Sequence, residues 1–321
     1  MIHKNEIRRH YYLPKTVIIA PKRSARPSSF AESIQVADAG TCVLCNNREE
    51  PTYSIESDSG WRIKSVRNPF GALSEHALNA YGYQEVIIES PNHVTAFSTH
   101  DIDTIQRLFE VYIHRSDALK KKQHIRYVSI FKNAGPHAGA TLVHSHSQIY
   151  AFPFVPDKIA REIDALVRYK QHHNRCALCD IMQTESSDAV RMVYETPHIA
   201  VLCPFASEYP YELMIMPKRH VTGLTKTSST ERYDIARSLK AATRFLEQHS
   251  LDYNYYVNDL HHAGTHTYVR ITPRIGAPKI FGGLEVATDI TVNSVSPEVA
   301  AAEYRAHFAE LAAVQHYATA K

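Results

Sequence analysis

Apolar residues recur at intervals of three and four positions in two long stretches of the chain, about residues 101–122 and about residues 229–248. This is the spacing of an amphipathic helix. The apolar positions of the first stretch are Ile102, Ile105, Leu108, Phe109 and Tyr112. Those of the second are Tyr233, Ile235, Leu239 and Phe245. The pattern therefore predicts two long helices, each with one face turned towards a core.

Both predicted helices stand in the same order of elements, so the chain contains an internal repeat. In each half a Cys-x-x-Cys motif comes first. It is followed by an apolar run, a motif of Pro, His, Val and Thr, the helix, a strand and a further histidine motif. The apolar runs are residues 85–89 and 212–216, and the strands are residues 127–131 and 253–257.

The repeat predicts an α+β fold that arose by duplication. It consists of two tandem domains, residues 1–165 and 166–321, each with a mostly antiparallel sheet and one main helix. A length of 321 residues agrees with two domains.

Composition narrows the class of protein. Hydrophobic residues make up 44% and charged residues 21%, so disordered, collagen-like and coiled-coil chains are excluded as the main state. No apolar run is long enough to span a bilayer. The first residues contain no apolar signal core, so a cytoplasmic location is expected. A net charge of +3 spread along the chain gives no indication of a nucleic-acid or membrane partner.

The chain contains 20 His and 5 Cys, and four of the cysteines form two Cys-x-x-Cys pairs. Thiolate and imidazole are the ligands of structural zinc, which prefers four of them in a tetrahedron. The repeat adds two histidines to each pair. The predicted ligand sets are Cys42, Cys45, His93 and His144 in the first half, and Cys176, Cys179, His220 and His266 in the second. We therefore expect two structural zinc sites; a redox role is disfavoured, and iron or another divalent ion at the second site stays an alternative.

One difference between the halves indicates where the chemistry lies. The first half reads His144-Ser145-His146-Ser147-Gln148, and the matching segment of the second half is residues 266–270, His-Thr-Tyr-Val-Arg. The proposed metal ligand is kept in both halves, whereas the second histidine occurs only in the first. This indicates a single active site at His146, with an imidazole that acts as a nucleophile and Gln148 as an amide donor to a phosphoryl oxygen. Period-two alternation predicts that residues 144, 146 and 148 share one face of a strand.

A loop precedes this motif, and its glycines predict a close approach of the backbone to a phosphate. It covers residues 133–139, Asn-Ala-Gly-Pro-His-Ala-Gly. The same segment is also compatible with an ordinary turn.

Together with Cys42-x-x-Cys45 and Ser90-Pro91-Asn92-His93, the His-Ser-His-Ser-Gln motif resembles the galactose-1-phosphate uridylyltransferase branch of the histidine-triad superfamily. The resemblance extends over nearly the whole chain. Residues 18–27 are similar to the family's opening strand and Arg-x-x-Arg-Pro turn. Residues 66–70 are similar to its nucleotide-binding Asn-x-Phe, and residues 281–285 to its sugar-contacting stretch.

The resemblance implies two histidine-triad-like domains and a ping-pong nucleotidyl transfer through a covalent nucleotidyl-histidine at His146. It also implies a homodimer, zinc as the cofactor, and a nucleotide sugar and a sugar 1-phosphate as substrates. Gln148, in place of a further histidine, favours transfer over hydrolysis. The substrate-binding residues that it implies are Arg23, Arg26, Asn68, Phe70, Asn133, Gly135, Thr141 and Glu285.

Several alternatives stay open. Serine between the two histidines and a second Cys-x-x-Cys set resemble two-zinc relatives of the ADP-glucose phosphorylase type, in which phosphate accepts AMP. The base is therefore uracil or adenine, and the acceptor is a hexose 1-phosphate or phosphate. A nucleotide-sugar hydrolase is a further alternative, and a zinc-stabilised nucleic-acid or protein-binding module is the alternative from another class.

Overall fold

The structure is a computed structural model, and it describes residues 5–21, 23, 39–58, 60–94, 96–275 and 282–319, with side chains described up to residue 309. The strands are β1 (Glu6–Arg9), β2 (Thr16–Ile19), β3 (Pro51–Ser57), β4 (Gly60–Arg67), β5 (Tyr83–Ile88), β6 (Tyr127–Ala134), β7 (His146–Phe152), β8 (Met192–Glu195), β9 (Ile199–Leu202), β10 (Leu213–Pro217), β11 (Asp252–Asn258), β12 (Tyr268–Arg274) and β13 (Thr291–Asn293). The helices are α1 (Ile102–Lys120), α2 (Asp157–His173), α3 (Ala177–Asp188), α4 (Ser229–Gln248), α5 (Gly283–Thr288) and α6 (Pro297–Thr319).

Ten strands form one antiparallel sheet in the order β3-β4-β5-β7-β6-β11-β12-β10-β9-β8. The five strands of the second half repeat the order of the first in reverse, and β6 and β11 join the halves side by side. This arrangement confirms the predicted α+β class. The predicted domain boundary at residues 165 and 166 stays a prediction, and it falls within α2, the helix that follows the first half of the sheet.

The two predicted helices are confirmed as α1 and α4, and both begin at a side-chain cap. Asp101 accepts a hydrogen bond from the backbone N–H of Thr104, and Ser228 forms a capping box with Glu231. The apolar faces of the helices pack against each other and against one face of the sheet. On that face β7 buries Ser147, Ile149 and Ala151, as its period-two alternation requires.

The opposite face of the sheet differs between the halves. In the second half it is covered by α2 and α3, whose Leu166, Leu178 and Met182 join an apolar cluster with Met214 and Met216. In the first half the same face of β7 leaves its alternate residues, 148, 150 and 152, partly exposed. Within the part of the chain that the structure describes, the sheet surface around β7 is therefore open, whereas α2 and α3 cover the apolar cluster on the corresponding face of the second half.

Among the described residues, no helix has the length and apolar content that crossing a membrane requires.

Asp259 follows β11 and connects the two halves through its buried carboxylate. The carboxylate accepts hydrogen bonds from Lys120 Nζ at 2.7 Å and from the backbone N–H of Leu224 at 2.6 Å, and it lies 2.9 Å from His261 Nε2. Burial alone raises the pKa of this carboxyl, but the hydrogen bond from His261 and the charge of Lys120 outweigh that effect and lower the pKa to about 2.

Replacing Asp259 with asparagine is expected to lower the free energy of unfolding at pH 7 by about 2 kcal/mol, because the folded-state pKa lies below the ordinary value of 3.8. A carboxyl with a lowered pKa stabilises the fold above its ordinary pKa, and this contribution disappears as the pH falls towards 2. Urea unfolding at a series of pH values measures the effect, with Asp164→Asn on an exposed position of α2 as the control. Equal stability of D259N and wild type at pH 7 would contradict the prediction.

Candidate active site

The first predicted metal cluster is assembled in the structure. The ligand atoms of Cys42, Cys45, His93 and His144 all lie within 4.8 Å of one another. Cys45 Sγ is 3.3 Å from Nδ1 of both histidines, and Cys42 Sγ is 3.6 Å from His144 Nδ1. His144 Nε2 lies 3.0 Å from the carbonyl oxygen of Ser90, to which it donates, so Nδ1 is left to face the sulfur atoms.

The second cluster has the same construction. Cys176, Cys179, His220 and His266 also bring their ligand atoms within 4.8 Å of one another. Cys179 Sγ lies 3.5 Å from Nδ1 of each histidine, and His266 Nε2 donates to the carbonyl oxygen of Pro217 at 2.9 Å. Cys176 occupies the N-cap position of α3, so this Cys-x-x-Cys motif lies at the start of a helix, whereas the first one lies in a turn.

Both donor sets fit a tetrahedral ion. Bonds of about 2.3 Å to sulfur and about 2.0 Å to nitrogen place neighbouring sulfur and nitrogen ligands roughly 3.5 Å apart. The sulfur–nitrogen distances of the two clusters are 3.3–3.6 Å. Four protein ligands complete each set, which is typical of a structural metal site.

His146 is the first residue of β7, next to the first cluster but not part of it. Its Nδ1 lies 2.8 Å from the carbonyl oxygen of His144. A carbonyl oxygen can only accept, so Nδ1 carries the proton and Nε2 keeps its lone pair. Nε2 makes no hydrogen bond with the described residues. The side chain is 7% exposed, and burial, followed by the positive charge of Lys132, holds the pKa of His146 below its usual range. The imidazole is therefore neutral at physiological pH.

The prediction that residues 144, 146 and 148 share one strand face is wrong for His144. The strand begins at His146, and His144 lies in a bend before it. Because His144 is outside the strand, its ring turns into the metal cluster, while its carbonyl group orients the ring of His146.

Gln148 follows His146 on the open face of β7. Its Oε1 accepts a hydrogen bond from Gln84 Nε2 at 3.4 Å, and Gln84 on β5 also donates to the hydroxyl of Tyr150. The amide NH₂ of Gln148 makes no hydrogen bond within the described chain. Its oxygen is held by Gln84, so the donor end is the end that is available to a ligand.

Asn68 and Phe70 follow the end of β4. They therefore lie on the side of β7 where β5 and β4 are, away from β6. The backbone N–H of Asn68 donates to the carbonyl oxygen of Gln84, and its side-chain oxygen accepts from the N–H of Phe70 at 2.9 Å. The Phe70 side chain is 88% exposed. An aromatic ring on a tight turn beside the open sheet face is suited to stack on a nucleobase.

The loop after β6 is held in place by the side chain of Asp252. Gly135 has φ 85°, and a Cβ there would lie 1.9 Å from a carboxylate oxygen of Asp252, so this position requires glycine. Asp252 accepts a hydrogen bond from the N–H of His137 at 2.7 Å, and the N–H groups of residues 138–140 donate to carbonyl oxygens of the loop itself. The N–H groups of residues 137–140 are thus used within the protein, and binding of a phosphate by this loop stays a prediction. The N–H groups of Thr141, Leu142 and Val143 have no acceptor among the described residues.

Asn133 is brought close to His146 by the sheet. The register of β6 against β7 pairs Phe131 with Gln148, and its continuation by two residues places Asn133 across from His146 on the same face. Its side-chain oxygen accepts a hydrogen bond from Asn254 Nδ2 at 2.8 Å.

Arg23 and Glu285 lie elsewhere in the chain. Arg23 follows β2, and Glu285 lies on α5, which precedes β13. Strands β1, β2 and β13 form a separate sheet that packs on the segment between β9 and β10. Strand β10 is four places from β7 in the large sheet, about 19 Å at the usual strand spacing. No described contact joins either residue to His146, and the predicted Arg26 lies outside the described residues.

A buried ion pair behind the nucleophile was not predicted from the sequence. Lys132 Nζ lies 2.7 Å from Glu89 Oε2, 2.9 Å from Ser145 Oγ and 2.9 Å from the carbonyl oxygen of His146. Burial lowers the pKa of Lys132, even though Glu89 opposes the shift. The sequence feature that could have revealed this pair is Lys132 itself, a lysine at an inward-facing position of a strand with alternating burial. A charge buried there needs a partner of opposite charge.

The matching position of the second half is closed. Tyr268 begins β12 as His146 begins β7, and its hydroxyl donates to Glu162 of α2 at 2.8 Å. Arg270, in the place of Gln148, donates to the buried Glu212 at 2.6 Å. Because helix α2 reaches Tyr268, the described residues of the second half offer no histidine at this position and no open surface directly around it.

The fold and site define a nucleotidyltransferase with a duplicated α+β sheet. Residues 72–156 match the model of the galactose-1-phosphate uridyl transferase N-terminal domain, and residues 162–318 match that of its C-terminal domain. The chain belongs to the galactose-1-phosphate uridylyltransferase family. The predicted family and the predicted enzyme class are thus confirmed.

Two proteins of different specificity are among its relatives. ADP-glucose phosphorylase of Arabidopsis thaliana is 27% identical over 91% of this chain and 90% of its own length. Galactose-1-phosphate uridylyltransferase of Thermotoga maritima is 37% identical, over half of each chain. The crystal structure of the Arabidopsis ADP-glucose phosphorylase with bound ADP-glucose superimposes with a TM-score of 0.81, covering 94% of this chain and 98% of that one.

Proposed function

We propose that this protein transfers a nucleoside monophosphate from a nucleoside diphosphate hexose to a phosphate acceptor, with His146 as the covalent nucleophile. In the first step the Nε2 lone pair attacks the α-phosphorus. The bond from that phosphorus to the bridging oxygen breaks, and hexose 1-phosphate leaves. In the second step a phosphate oxygen of the acceptor attacks the same phosphorus, and the nitrogen–phosphorus bond breaks to restore the neutral imidazole.

The observation that carries this proposal is the tautomer of His146. Its Nδ1 proton is held by the carbonyl oxygen of His144 at 2.8 Å, so Nε2 is a free nucleophile that faces the open side of the sheet. Burial of the ring and, after it, the positive charge of Lys132 behind the strand lower the pKa of His146 and so favour the unprotonated ring.

The proposed roles of the other residues follow from their places. Gln148, through its amide NH₂, donates to an oxygen of the α-phosphate, and Asn133 lies on the side of the leaving group. Asn68 and Phe70 bind the nucleoside on the opposite side. The N–H group of Thr141 is available to the phosphates, and Gly135 provides the close approach to Asp252 that shapes the loop.

Zinc is the proposed ion in both clusters. Bound there, it supplies structural cross-links through two thiolates and two imidazoles. At the first cluster this fixes His144, whose carbonyl group orients the nucleophile. The ion's place in the mechanism is therefore to position His146.

We also propose a homodimer. Arg23 follows a strand of the small sheet and Glu285 lies on the helix before another, away from His146 of the same chain, so a role in substrate binding requires that they reach the site of the other subunit. Arg26 is proposed to act with Arg23.

Two acceptors are compatible with this chemistry, and the relatives support one each. Similarity over nearly the full chain to an ADP-glucose phosphorylase favours adenine and inorganic phosphate, while the uridylyltransferases favour uracil and hexose 1-phosphate. The deciding experiment incubates the metal-loaded protein with UDP-glucose or ADP-glucose and records the intact mass. An adduct of UMP or AMP identifies the base, and addition of phosphate or galactose 1-phosphate shows which acceptor discharges it. Absence of any adduct and of any exchange with both nucleotide sugars would overturn the proposal.

Replacing Gln148 with alanine is expected to lower kcat about 100-fold, because a hydrogen-bond donor to the developing charge on phosphorus is lost. The nucleotidyl adduct still forms, but more slowly. Rapid-quench kinetics of adduct formation measures the effect, and Gln183→Ala on α3 is the control for the loss of an amide away from the site. An unchanged rate in Q148A would exclude this role.

A further inference from the structure

A cavity opens beside the active site on the same face of the sheet. Its volume is about 270 Å³, near the lower end of small-molecule sites. Phe131 and Asn133 of β6 form the wall nearest to β7. The remaining lining comes from β11, β12 and the start of α2: Lys158, Asn254, Tyr256, Arg270, Thr272 and Arg274 are among these residues.

The cavity has an excess of positive charge. Arg270 is neutralised by Glu212 and Glu208, and Glu208 is also paired with Lys15. No carboxylate of the described chain pairs with the two other cations that line the cavity, Lys158 and Arg274.

Arg274 is held in place by its neighbours, but one of its N–H groups has no hydrogen-bond acceptor among the described residues. Its Nε donates to Asn254 Oδ1 at 2.8 Å, and its guanidinium lies over the ring of Tyr209, 4.6 Å from the centroid. Its Nη1 is buried and makes no hydrogen bond. Burying a guanidinium N–H without an acceptor costs free energy. An anion that accepts this hydrogen bond would remove that cost, so the geometry is typical of an anion-binding group.

A chain of polar side chains connects this arginine to the nucleophile. Asn254 joins Arg274 to Asn133 through hydrogen bonds at both ends of its amide, and Asn133 lies across from His146 in the sheet. The cavity therefore lies on the side of His146 opposite Asn68 and Phe70. A nucleotide whose base occupies the Phe70 side has its leaving group, and later the acceptor, on the cavity side.

We infer that this cavity binds the phosphate group of the acceptor, with Arg274 and Lys158 as its specificity-determining cations. The inference rests on the proposed transfer through His146. The ligand is a phosphate dianion, which comes either from inorganic phosphate or from a hexose 1-phosphate. Arg274 lines the cavity and has an N–H without an acceptor, and Lys158, an exposed residue of the lining, adds a second positive charge.

Calorimetric titration of the metal-loaded full chain with inorganic phosphate, and separately with glucose 1-phosphate, tests this inference. Arg274→Gln is expected to raise the Kd about tenfold, since one charge-assisted hydrogen bond is lost. Lys158→Gln is expected to raise it about threefold. Arg168→Gln, which removes an exposed charge from the same helix α2, is expected to change it less than twofold.

Both arms have decisive outcomes. Binding of either ligand that weakens in R274Q and K158Q but not in R168Q supports the site, and the ligand that binds more tightly identifies the acceptor. Failure of both ligands to bind, or equal binding by R274Q and wild type, overturns the inference. The melting temperature of R274Q shows whether the variant is folded, and K158Q provides a surface substitution that leaves the core intact.

The same titration with His146→Ala separates this inference from the proposed function. H146A keeps the cavity and is expected to bind phosphate like the wild type. If the wild type forms no adduct but binds phosphate, the proposed function is wrong and the anion site stands. If the wild type forms the adduct but does not bind phosphate, only the anion site is wrong.

Discussion

His146→Ala is expected to abolish nucleotidyl transfer and to lower kcat/KM by at least about 10⁴-fold, because the imidazole that forms the bond to phosphorus is removed. The remaining activity would come from substrate binding alone. The protein itself should stay folded, since His146 makes one side-chain hydrogen bond, to the backbone of His144.

Intact mass after incubation with UDP-glucose or ADP-glucose, together with the steady-state rate, measures the result. The matched control is Tyr268→Phe, which changes the equivalent position of the second half and removes the hydrogen bond to Glu162. Y268F is expected to lose some stability but to form the adduct at close to the wild-type rate. An adduct that forms at full yield in H146A would contradict the assignment of the nucleophile.

Breaking the first metal cluster is expected to have the second largest effect. Cys45→Ser removes the thiolate that lies 3.3 Å from both histidine nitrogens of this cluster. We expect the metal content to fall from two ions to one per chain, the free energy of unfolding to fall by several kcal/mol, and the rate of adduct formation to fall at least about 100-fold. The rate falls because His144, once released, no longer fixes the carbonyl group that orients His146.

Cys179→Ser is the matched variant of the second cluster. It is expected to lose one ion and to be destabilised similarly, but to form the adduct within about threefold of the wild-type rate, because Tyr268 stands in the place of the nucleophile there. Elemental analysis, urea unfolding and adduct kinetics on both variants give the three readouts. An equal loss of adduct formation in C45S and C179S would contradict a local link between the first cluster and His146.

Much of the site follows from sequence alone because its chemistry uses distinctive residue types at short spacing. The two Cys-x-x-Cys pairs and their histidines were predicted as two ligand sets, and the structure brings each set together. The contrast between His146 and Tyr268 was visible because the duplicated segments can be compared directly. The long helices were predicted from their period, which is a local property of the chain.

Other parts required the fold. His144 was placed on the wrong structural element because a period-two pattern does not show where a strand begins. The loop after Asn133 was predicted to approach a phosphate, but its contact with Asp252, more than 100 residues later in the chain, could not be predicted from the sequence.

By itself the sequence determined the duplication, the α+β class, the two sets of metal ligands and the one histidine without a counterpart, because periodicity and ligand chemistry are written in neighbouring residues. Tertiary structure decided which sheet face stays open, since α2 and α3 cover only the second half. It also decided that Lys132 lies behind the nucleophile and that Arg274, linked to Asn133 through Asn254, has an N–H without an acceptor. These features depend on strands that meet only when β6 pairs with β7 and β11, and no local pattern specifies that pairing.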